Sequence, residues 1–433
     1  MWTQRNKSFQ PFLIISFSII KKPGFTLLLI FLCFSAVAQT PMGQIDFKNA
    51  LPDLLSRYAR SGQDTARVRL ALSISNFYLH NKGYTSSSAD SSYVYAISAG
   101  NLAKSLDYQK GEDDAKILQG SLLIRAGKFG DFKKIVNQAE GSLYCRLQIL
   151  LGRHYLELVG EEKSDLNQAD SLFIAAQQYA HQHRMPYLSI ITRLYRYTVM
   201  LERRLDSTKC DNEFRKISAI CKASRNPGID AMAWNIRAAY ILDVNIPLGA
   251  TYFYESSRLA KIANNPGLAV DCLREIADIN MRLGKLALAE QQLKNILKMY
   301  SSLGYKNLQL PYELLSAVNN AGGNLEIAMN YALKAMTFAE ATGTDVHSNY
   351  LQYRLGDLCQ KLGQRKESID WYQKAIESTI RSEQRFPYLV FRQQAIELIA
   401  EGKAKLVVKK LSAAMKRYPP PSKSIFIVML QGD

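Results

Sequence analysis

Small and large apolar residues recur along the chain with a period of about 40 residues, a length typical of repeat architectures. The first small position of each cycle recurs at nearly constant intervals, at Ala169, Cys210, Ala250, Ala289, Ala328 and Ser368. The position seven residues later holds Ala176, Ile217, Ser257, Ile296, Ala335 and Ala375. The position four residues after the first holds Phe173, Phe214, Tyr254, Leu293, Ala332 and Tyr372. Since positions i, i+4 and i+7 share one helix face, the pattern predicts a small-large-small stripe on a recurring helix.

Each stripe follows a first helical stretch that ends near a glycine, so one period corresponds to two helices. A fixed period of this kind indicates a solenoid built from helical hairpins. We count nine hairpins between Asp64 and Tyr418, preceded by a helix near Ile45 to Ala59. No linker interrupts the array, so the pattern predicts one solenoid over residues 64–421 with a capping helix within residues 39–63.

The pair Leu355-Gly356, the pair Leu362-Gly363, and Ser368, Tyr372 and Ala375 together resemble the tetratricopeptide (TPR) pattern. The resemblance extends over most of the chain, from Asp64 to Pro421, and includes Trp234 at the aromatic position of a first helix. It implies an all-α fold, a right-handed α-solenoid of about nine TPR-like hairpins. The period exceeds the roughly 34 residues of the common TPR unit and overlaps the HEAT range, so a HEAT-like array is the alternative.

The N-terminal segment, residues 1–38, has the pattern of a secretory signal. Lys21 and Lys22 precede an apolar run from Phe25 to Phe34, and Ala36-Val37-Ala38 forms an A-x-A cleavage site. Neither this run nor the apolar run before Lys21 reaches the roughly 20 residues of a membrane-spanning helix. We therefore expect a signal peptide over residues 1–38, of which 1–20 look like a mis-assigned extension, and a periplasmic or cell-envelope location.

The net charge of the chain adds to these predictions only near its two ends. The chain of 433 residues has a net charge of +17, but four of its 55 basic residues lie in the expected signal peptide, without a neighbouring acid. Residues 381–417 hold nine bases and three acids. This basic C-terminal repeat suggests contact with an anionic membrane or an acidic partner, whereas binding of a nucleic acid or another acidic polymer through the same repeat is the weaker alternative.

Motifs for catalysis or cofactor binding are absent from the sequence. There is no Walker loop, no G-x-G-x-x-G, no H-E-x-x-H and no G-x-S-x-G. The cysteines Cys145, Cys210, Cys221, Cys272 and Cys359 show no metal-binding spacing, so we expect small buried side chains. We predict no enzyme activity, no cofactor and no metal site.

If the TPR resemblance holds, four positions of each first helix line a concave groove. Transferred by register, the predicted partner-binding residues are Tyr195, Glu202, Asn235, Arg274, Asp278, Tyr350, Tyr353, Asp357 and Gln360. Tyrosines mixed with both charge signs suit a protein or peptide ligand.

The resemblance also frames the functional hypotheses. Exported TPR arrays of this kind often form the sensory part of bacterial signalling regulators. We therefore predict a non-enzymatic scaffold that binds a protein or peptide, with a sensory role in signalling as its finer form. The alternative is the truncated sensor half of a membrane histidine kinase or a helix-turn-helix regulator. The C-terminal residues 422–433 then form either a cap or the start of a further repeat.

Overall fold

The chain is an array of antiparallel helices, seen in a computed structural model. The structure describes residues 51–81, 86–157, 163–203, 207–242, 244–303, 308–342, 345–381 and 388–417. The expected signal peptide and the segment 422–433 lie outside these ranges. The described residues contain α-helices and no strand, as the all-α prediction requires.

A single helix, α1 (Leu51–Arg60), precedes nine helical hairpins in the described part of the chain. The hairpins pair α2 (Thr65–Asn81) with α3 (Ser86–Ser105), α4 (Gln109–Arg125) with α5 (Phe129–Asn137), α6 (Gly141–Glu157) with α7 (Lys163–Gln182), α8 (Pro186–Glu202) with α9 (Ser207–Ala223), α10 (Pro227–Ile241) with α11 (Ile246–Ile262), α12 (Pro266–Arg282) with α13 (Leu286–Ser302), α14 (Gln309–Ala321) with α15 (Leu325–Thr342), α16 (Asp345–Lys361) with α17 (Arg365–Arg381), and α18 (Tyr388–Ala400) with α19 (Ala404–Arg417). The predicted number of hairpins is confirmed.

Local sequence explains where the central helices begin. The side chains of Asn226, Asn245 and Asn265 accept hydrogen bonds from backbone N–H groups at the starts of α10, α11 and α12. A proline follows each asparagine within the first two helical positions, where it leaves no intrahelical hydrogen bond unmade. These asparagines and prolines therefore mark helix starts as well as breaks between helices.

Each helix packs mainly against the helices that precede and follow it. Consecutive first helices also contact one another, as α2 does α4, α4 does α6, α6 does α8, α8 does α10 and α12 does α14. In the described part of the chain, no two consecutive second helices contact each other to that extent. The array therefore bends toward its first helices, and we call the surface that these helices share the inner face.

The predicted stripe is the packing surface within the hairpins. Ala169, Phe173 and Ala176 of α7 are fully buried, and so are Ser368, Tyr372 and Ala375 of α17. In both hairpins the aromatic ring lies against a glycine of the first helix: an added Cβ at Gly152 would lie 2.6 Å from Phe173, and one at Gly356 would lie 2.5 Å from Tyr372. Such distances exclude any side chain unless the ring shifts, so glycine permits this close approach.

One repeat differs from the predicted register. In α11 the aromatic residue of the stripe was expected at Tyr254, but this side chain is 54% exposed. The buried stripe lies one position earlier, at Gly249, Phe253 and Ser256, although Ser257 of the predicted stripe is buried as well. A Cβ at Gly249 would meet Leu242, the residue that follows α10, at 3.0 Å from its Cα. The corrected register keeps the i, i+4 and i+7 spacing.

Candidate partner-binding face

Polar and charged side chains are buried along the first helices of the central and C-terminal repeats. These residues are Asp230, Asn235 and Arg237 on α10, Asp271, Arg274, Glu275, Asp278 and Asn280 on α12, Gln309, Glu313, Ser316 and Asn319 on α14, Gln352 on α16, and Gln394 and Glu397 on α18. Buried charges are costly unless they are paired and hydrogen-bonded. The partners of each charge therefore decide what this layer can do.

Arg274 is the central cation of α12. It is only 2% exposed, and its Nη2 donates to Glu275 Oε1 over 2.5 Å, while its Nη1 lies 3.8 Å from Asp271 Oδ1. The hydroxyl of Tyr300, on the second helix α13, also donates to Asp271. Arg282 Nε donates to Asp278 Oδ2 over 2.7 Å. Each of these three acids on α12 is thus paired with an arginine.

Glu313 of α14 has a different environment. It is 5% exposed, and its Oε2 has no hydrogen-bond partner in the structure. Burial raises the pKa of this carboxyl to about 7, although the positive charges of Arg354 and Arg274 act in the opposite direction. Asp278 adds to the increase in the pKa. At neutral pH, Glu313 therefore exists in both protonation states.

Arg354 of α16 carries the positive charge that has the largest effect on Glu313. Its Nη2 donates to the Tyr350 hydroxyl over 2.6 Å, and its guanidinium carbon lies 4.9 Å from the centre of the Tyr350 ring. Burial alone would lower the pKa of Arg354, but Tyr350 and Glu313 outweigh burial and raise it. Three consecutive first helices thus contribute to one group, which we call the inner charge cluster: Arg274, Glu275, Asp278, Glu313, Tyr350 and Arg354.

Five of the predicted partner-binding residues are buried within the array. Tyr195 stacks on Phe173 with ring centres 5.1 Å apart, and Glu202 accepts a hydrogen bond from the Tyr240 hydroxyl. Asn235 accepts a weak hydrogen bond from Cys272 Sγ over 3.5 Å. Arg274 and Asp278 belong to the inner charge cluster. The contacts that the structure gives these residues are internal, and their role toward a partner stays a prediction.

The other four predicted residues lie on α16 and are partly exposed: Tyr350, Tyr353, Asp357 and Gln360. The ring centre of Tyr353 lies 5.8 Å from that of Tyr372. Asp357 pairs with Lys361 at 2.8 Å, and Gln360 Oε1 accepts from Gln393 Nε2 over 2.7 Å. These side chains form a polar strip along α16, which shares Tyr350 with the inner charge cluster.

Three members of the cluster, Glu275, Glu313 and Arg354, are missing from the predicted set. Register alone would have identified Glu313, because it lies one period after Arg274 and one period before Tyr353. Arg354 follows Tyr353 directly and has no such signal, since its position depends on its hydrogen bond to Tyr350.

The structure also bears on the expected chemistry. Cys145, Cys210, Cys221, Cys272 and Cys359 are all buried as free thiols, as predicted. Burial raises the pKa of Cys145 to about 11 and that of Cys221 to about 12, so these thiols are unreactive at neutral pH. Among the described residues, no group of three His, Cys, Asp or Glu side chains could hold a metal ion. None of the helices searched there is both long and apolar enough to cross a membrane.

A depression at the other end of the array has a different character. It lies along α3 and is lined by Gln63, Tyr93, Val94, Ile97, Ser98, Asn101, Leu102 and Ser105. None of these residues is charged, and Tyr93 and Val94 are 45% and 62% exposed. The inner charge cluster, in contrast, combines charge, burial and an unsatisfied acceptor.

Comparisons with known proteins find structural neighbours but no relative in sequence. No family model matches the chain, and no curated protein is similar to it in sequence. Among solved structures, it is similar to a signal transduction ATPase (STAND) protein with a tetratricopeptide repeat sensor from Pyrococcus horikoshii, at 15% identity and a TM-score of 0.49. That match covers 88% of this chain and 56% of the other, so the chain spans little more than half of the STAND protein.

A second similar structure is a Rap protein complexed with competence and sporulation factor, at 11% identity and a TM-score of 0.47, which covers 81% of this chain and 100% of the other. The apo form of RapI matches at 13% identity, with the same TM-score and 98% of its own chain covered. These neighbours are TPR-repeat proteins. The helices of the chain itself confirm the predicted fold, because the described residues form an all-α solenoid of TPR-like hairpins.

Proposed function

We propose that the chain is a non-enzymatic scaffold that binds a protein or peptide partner along its inner face. The observation that carries this proposal is the partly exposed polar strip of α16, which lies beside buried charges on α12 and α14. Buried ion pairs often add little to stability compared with apolar residues of the same size. A layer of such pairs is therefore better explained by recognition, for which tyrosine and arginine are the preferred side chains.

The test is affinity capture with the immobilised chain, using envelope fractions of the native cell. The double variant Tyr350→Ala/Tyr353→Ala removes two aromatic side chains from the strip. Tyr254→Ala is the matched control, since this tyrosine is exposed on a second helix. We expect the wild type and the control to retain the same partner and the double variant to lose it. Equal retention by all three would contradict the assignment of the binding face.

The proposal includes export to the periplasm or cell envelope, which rests on the signal-peptide pattern of residues 1–38. A sensory role in signalling would fit that location. Cleavage after Ala38 predicts Gln39 as the first residue of the mature chain, and N-terminal sequencing of the protein from envelope fractions measures this directly. A mature chain that begins at Met1 would remove the support for export.

Helix α19 presents side chains that suit a second contact surface. On this helix Leu406 and Val408 are 40% and 65% exposed, and they lie among the exposed lysines Lys403, Lys405 and Lys409. Basic residues beside exposed apolar side chains suit an anionic membrane surface. We expect the chain to sediment with phosphatidylglycerol vesicles, and the variant Lys405→Glu/Lys409→Glu to sediment less. Equal binding to phosphatidylcholine vesicles would contradict this contact.

A further inference from the structure

The turns within the last four described hairpins share a register, so equivalent positions of their first helices can be compared. Each turn has a glycine with a φ between +76° and +78°, at Gly284, Gly323, Gly363 and Gly402. The residues eight and five positions before each glycine are buried in all four first helices. These pairs are Ile276 and Ile279 on α12, Leu315 and Val318 on α14, Leu355 and Leu358 on α16, and Gln394 and Glu397 on α18. The first three pairs are apolar, whereas the pair on α18 is polar.

The polar pair of α18 makes side-chain hydrogen bonds to the preceding hairpin. Gln394 Nε2 donates to Gln373 Oε1 on α17 over 2.9 Å, and Glu397 Oε1 accepts from Gln360 Nε2 on α16. The second helix of the last hairpin takes part as well, because Lys410 Nζ on α19 donates to the same Gln373 oxygen over 2.8 Å. Polar side chains thus lie where apolar side chains pack in the three preceding repeats.

This difference weakens the attachment of the last hairpin. A buried apolar pair stabilises an interface because it leaves water, whereas a buried amide exchanges hydrogen bonds with water for hydrogen bonds of similar strength. Glu397 Oε2 makes no hydrogen bond, and Arg365 Nε lies 3.9 Å from it. Within the described ranges, α18 and α19 have a neighbouring hairpin on one side only. In a solenoid the contacts with neighbouring repeats hold each repeat in place, so this one interface decides whether the last hairpin stays docked.

We propose that the last hairpin, α18–α19, separates from α16–α17 as one unit while the other hairpins remain folded. The docked state has a consequence for the polar strip of α16. Gln393 Nε2 donates to Gln360 Oε1 over 2.7 Å, and Glu397 accepts from Gln360 Nε2, so α18 occupies both polar atoms of a predicted partner-binding residue. Docked α18 is therefore an autoinhibitory contact at one end of the strip. This consequence rests on the proposed function, whereas the opening of the hairpin does not.

Hydrogen exchange of the full chain at neutral pH, followed by mass spectrometry, tests the opening. We expect the amides of α18 and α19 to exchange about tenfold or more faster than those of α14 and α16. Opening as one unit gives both helices the same protection. Fraying would instead give protection that increases steadily from Arg417 back toward Tyr388. A gradient of this kind, or protection in α18 equal to that in α16, would contradict the proposal.

Two variants test whether the polar contacts cause the opening. Gln394→Leu/Glu397→Leu restores the apolar pair of α16, and we expect it to slow exchange in α18 and α19 by about tenfold or more. Gln373→Ala removes the acceptor shared by Gln394 and Lys410, and it should speed exchange in the same two helices. Glu367→Leu, at an exposed glutamate of α17, is the matched control and should exchange as the wild type does. If neither variant differs from this control, the polar contacts do not govern the opening and the proposal is wrong.

The autoinhibitory consequence is tested separately, with the partner that the immobilised wild type captures from envelope fractions. We expect Gln394→Leu/Glu397→Leu to retain less of it than Glu367→Leu does, because the hairpin stays docked on Gln360. Equal retention would overturn the autoinhibitory contact. Failure of the exchange experiment leaves the proposed function intact, since partner binding by the polar strip does not require the hairpin to open.

Discussion

Phe173 and Arg274 are both almost completely buried, yet their surroundings have little in common. Phe173 lies between two alanines of its own helix and presses on the backbone of Gly152, within one hairpin. Arg274 lies on the inner face, where its neighbours are the carboxylates of Asp271 and Glu275. The first region depends on shape, and the second depends on the balance of charge across consecutive repeats.

The difference shows which contacts keep the fold together and which are available for function. The contact between a glycine and an aromatic ring involves no titratable group, so it forms at any pH once the two helices pack together. The inner charge cluster has one carboxylate, Glu313, whose pKa lies near neutrality and whose Oε2 has no partner. The packing contacts inside the hairpin are therefore complete, whereas the inner face retains a hydrogen-bond acceptor without a partner.

The largest effect is expected from Arg274→Met, which removes the central cation of the charged region. Without the guanidinium, Asp271 and Glu275 stay buried without their cation, and loss of one member of a buried pair costs about 3–5 kcal/mol of unfolding free energy. Denaturation by urea, monitored by circular dichroism, measures the change. The exposed arginine in Arg258→Met is the control, and we expect it to change the unfolding free energy by less than about 0.5 kcal/mol. Equal effects of the two would mean that the cluster carries no buried charge.

A smaller and pH-dependent effect is expected from Glu313→Gln. The pKa of Glu313 is raised from 4.5 to about 7 in the folded state, so the folded chain binds this proton more tightly than the unfolded chain does. The unfolding free energy of the wild type therefore falls as the pH rises from about 4.5 to about 7. Glutamine mimics the protonated carboxyl and removes this loss, which amounts to about 3 kcal/mol above pH 7.

Urea titrations of the wild type and Glu313→Gln at pH 5 and pH 8 measure this difference. We expect the variant to be more stable at pH 8 and to show only a small part of that gain at pH 5. The charged and titratable groups that face Glu313 are Arg274 and Asp278 from α12 and Tyr350 and Arg354 from α16. A variant that is less stable than the wild type at pH 8 would show that Arg354 stabilises the ionised carboxylate in place.

The smallest effect is expected from a substitution in the apolar interior of a hairpin. In Gly356→Ala the new methyl group would lie 2.5 Å from the Tyr372 ring, and overpacking of this kind costs about 1–3 kcal/mol. Gly130→Ala is the matched control, since a Cβ at this position of α5 meets no heavy atom within 4 Å. The control should gain up to about 1 kcal/mol from helix propensity. A similar gain in Gly356→Ala, measured by thermal unfolding, would show that the hairpins tolerate a wider separation.

The sequence predicts the hairpins well because their packing depends on residue size, which repeats with the period. The error in α11 has a clear physical origin. This helix has small residues at two adjacent registers, Gly249-Ala250 and Ser256-Ser257, and aromatic residues at both Phe253 and Tyr254. Residue size alone therefore allows either register to form the buried stripe of α11. The choice depends on the Leu242 backbone, against which only the glycine can pack so closely.

The inner charge cluster is harder to predict, because charged pairs depend on distances between helices rather than on one helix face. Arg274 and Asp278 are predicted to contact a partner, and that role stays a prediction; the structure shows that each is also paired within α12. Glu313 lies in register with both Arg274 and Tyr353, so a stricter use of the period would have identified it. No pattern in the sequence indicates that Arg354 bonds to Tyr350 and leaves Glu313 Oε2 without a hydrogen-bond partner.

The bend of the array toward its first helices also sets a length scale for any ligand. Packed helices lie roughly 8–10 Å apart, and an extended peptide advances about 3.3 Å per residue. A peptide that runs along the inner face would therefore pass a new first helix about every third residue. Each repeat would then contact the peptide at one regularly spaced position. Specificity would depend on the spacing of the recognised peptide residues as much as on their type.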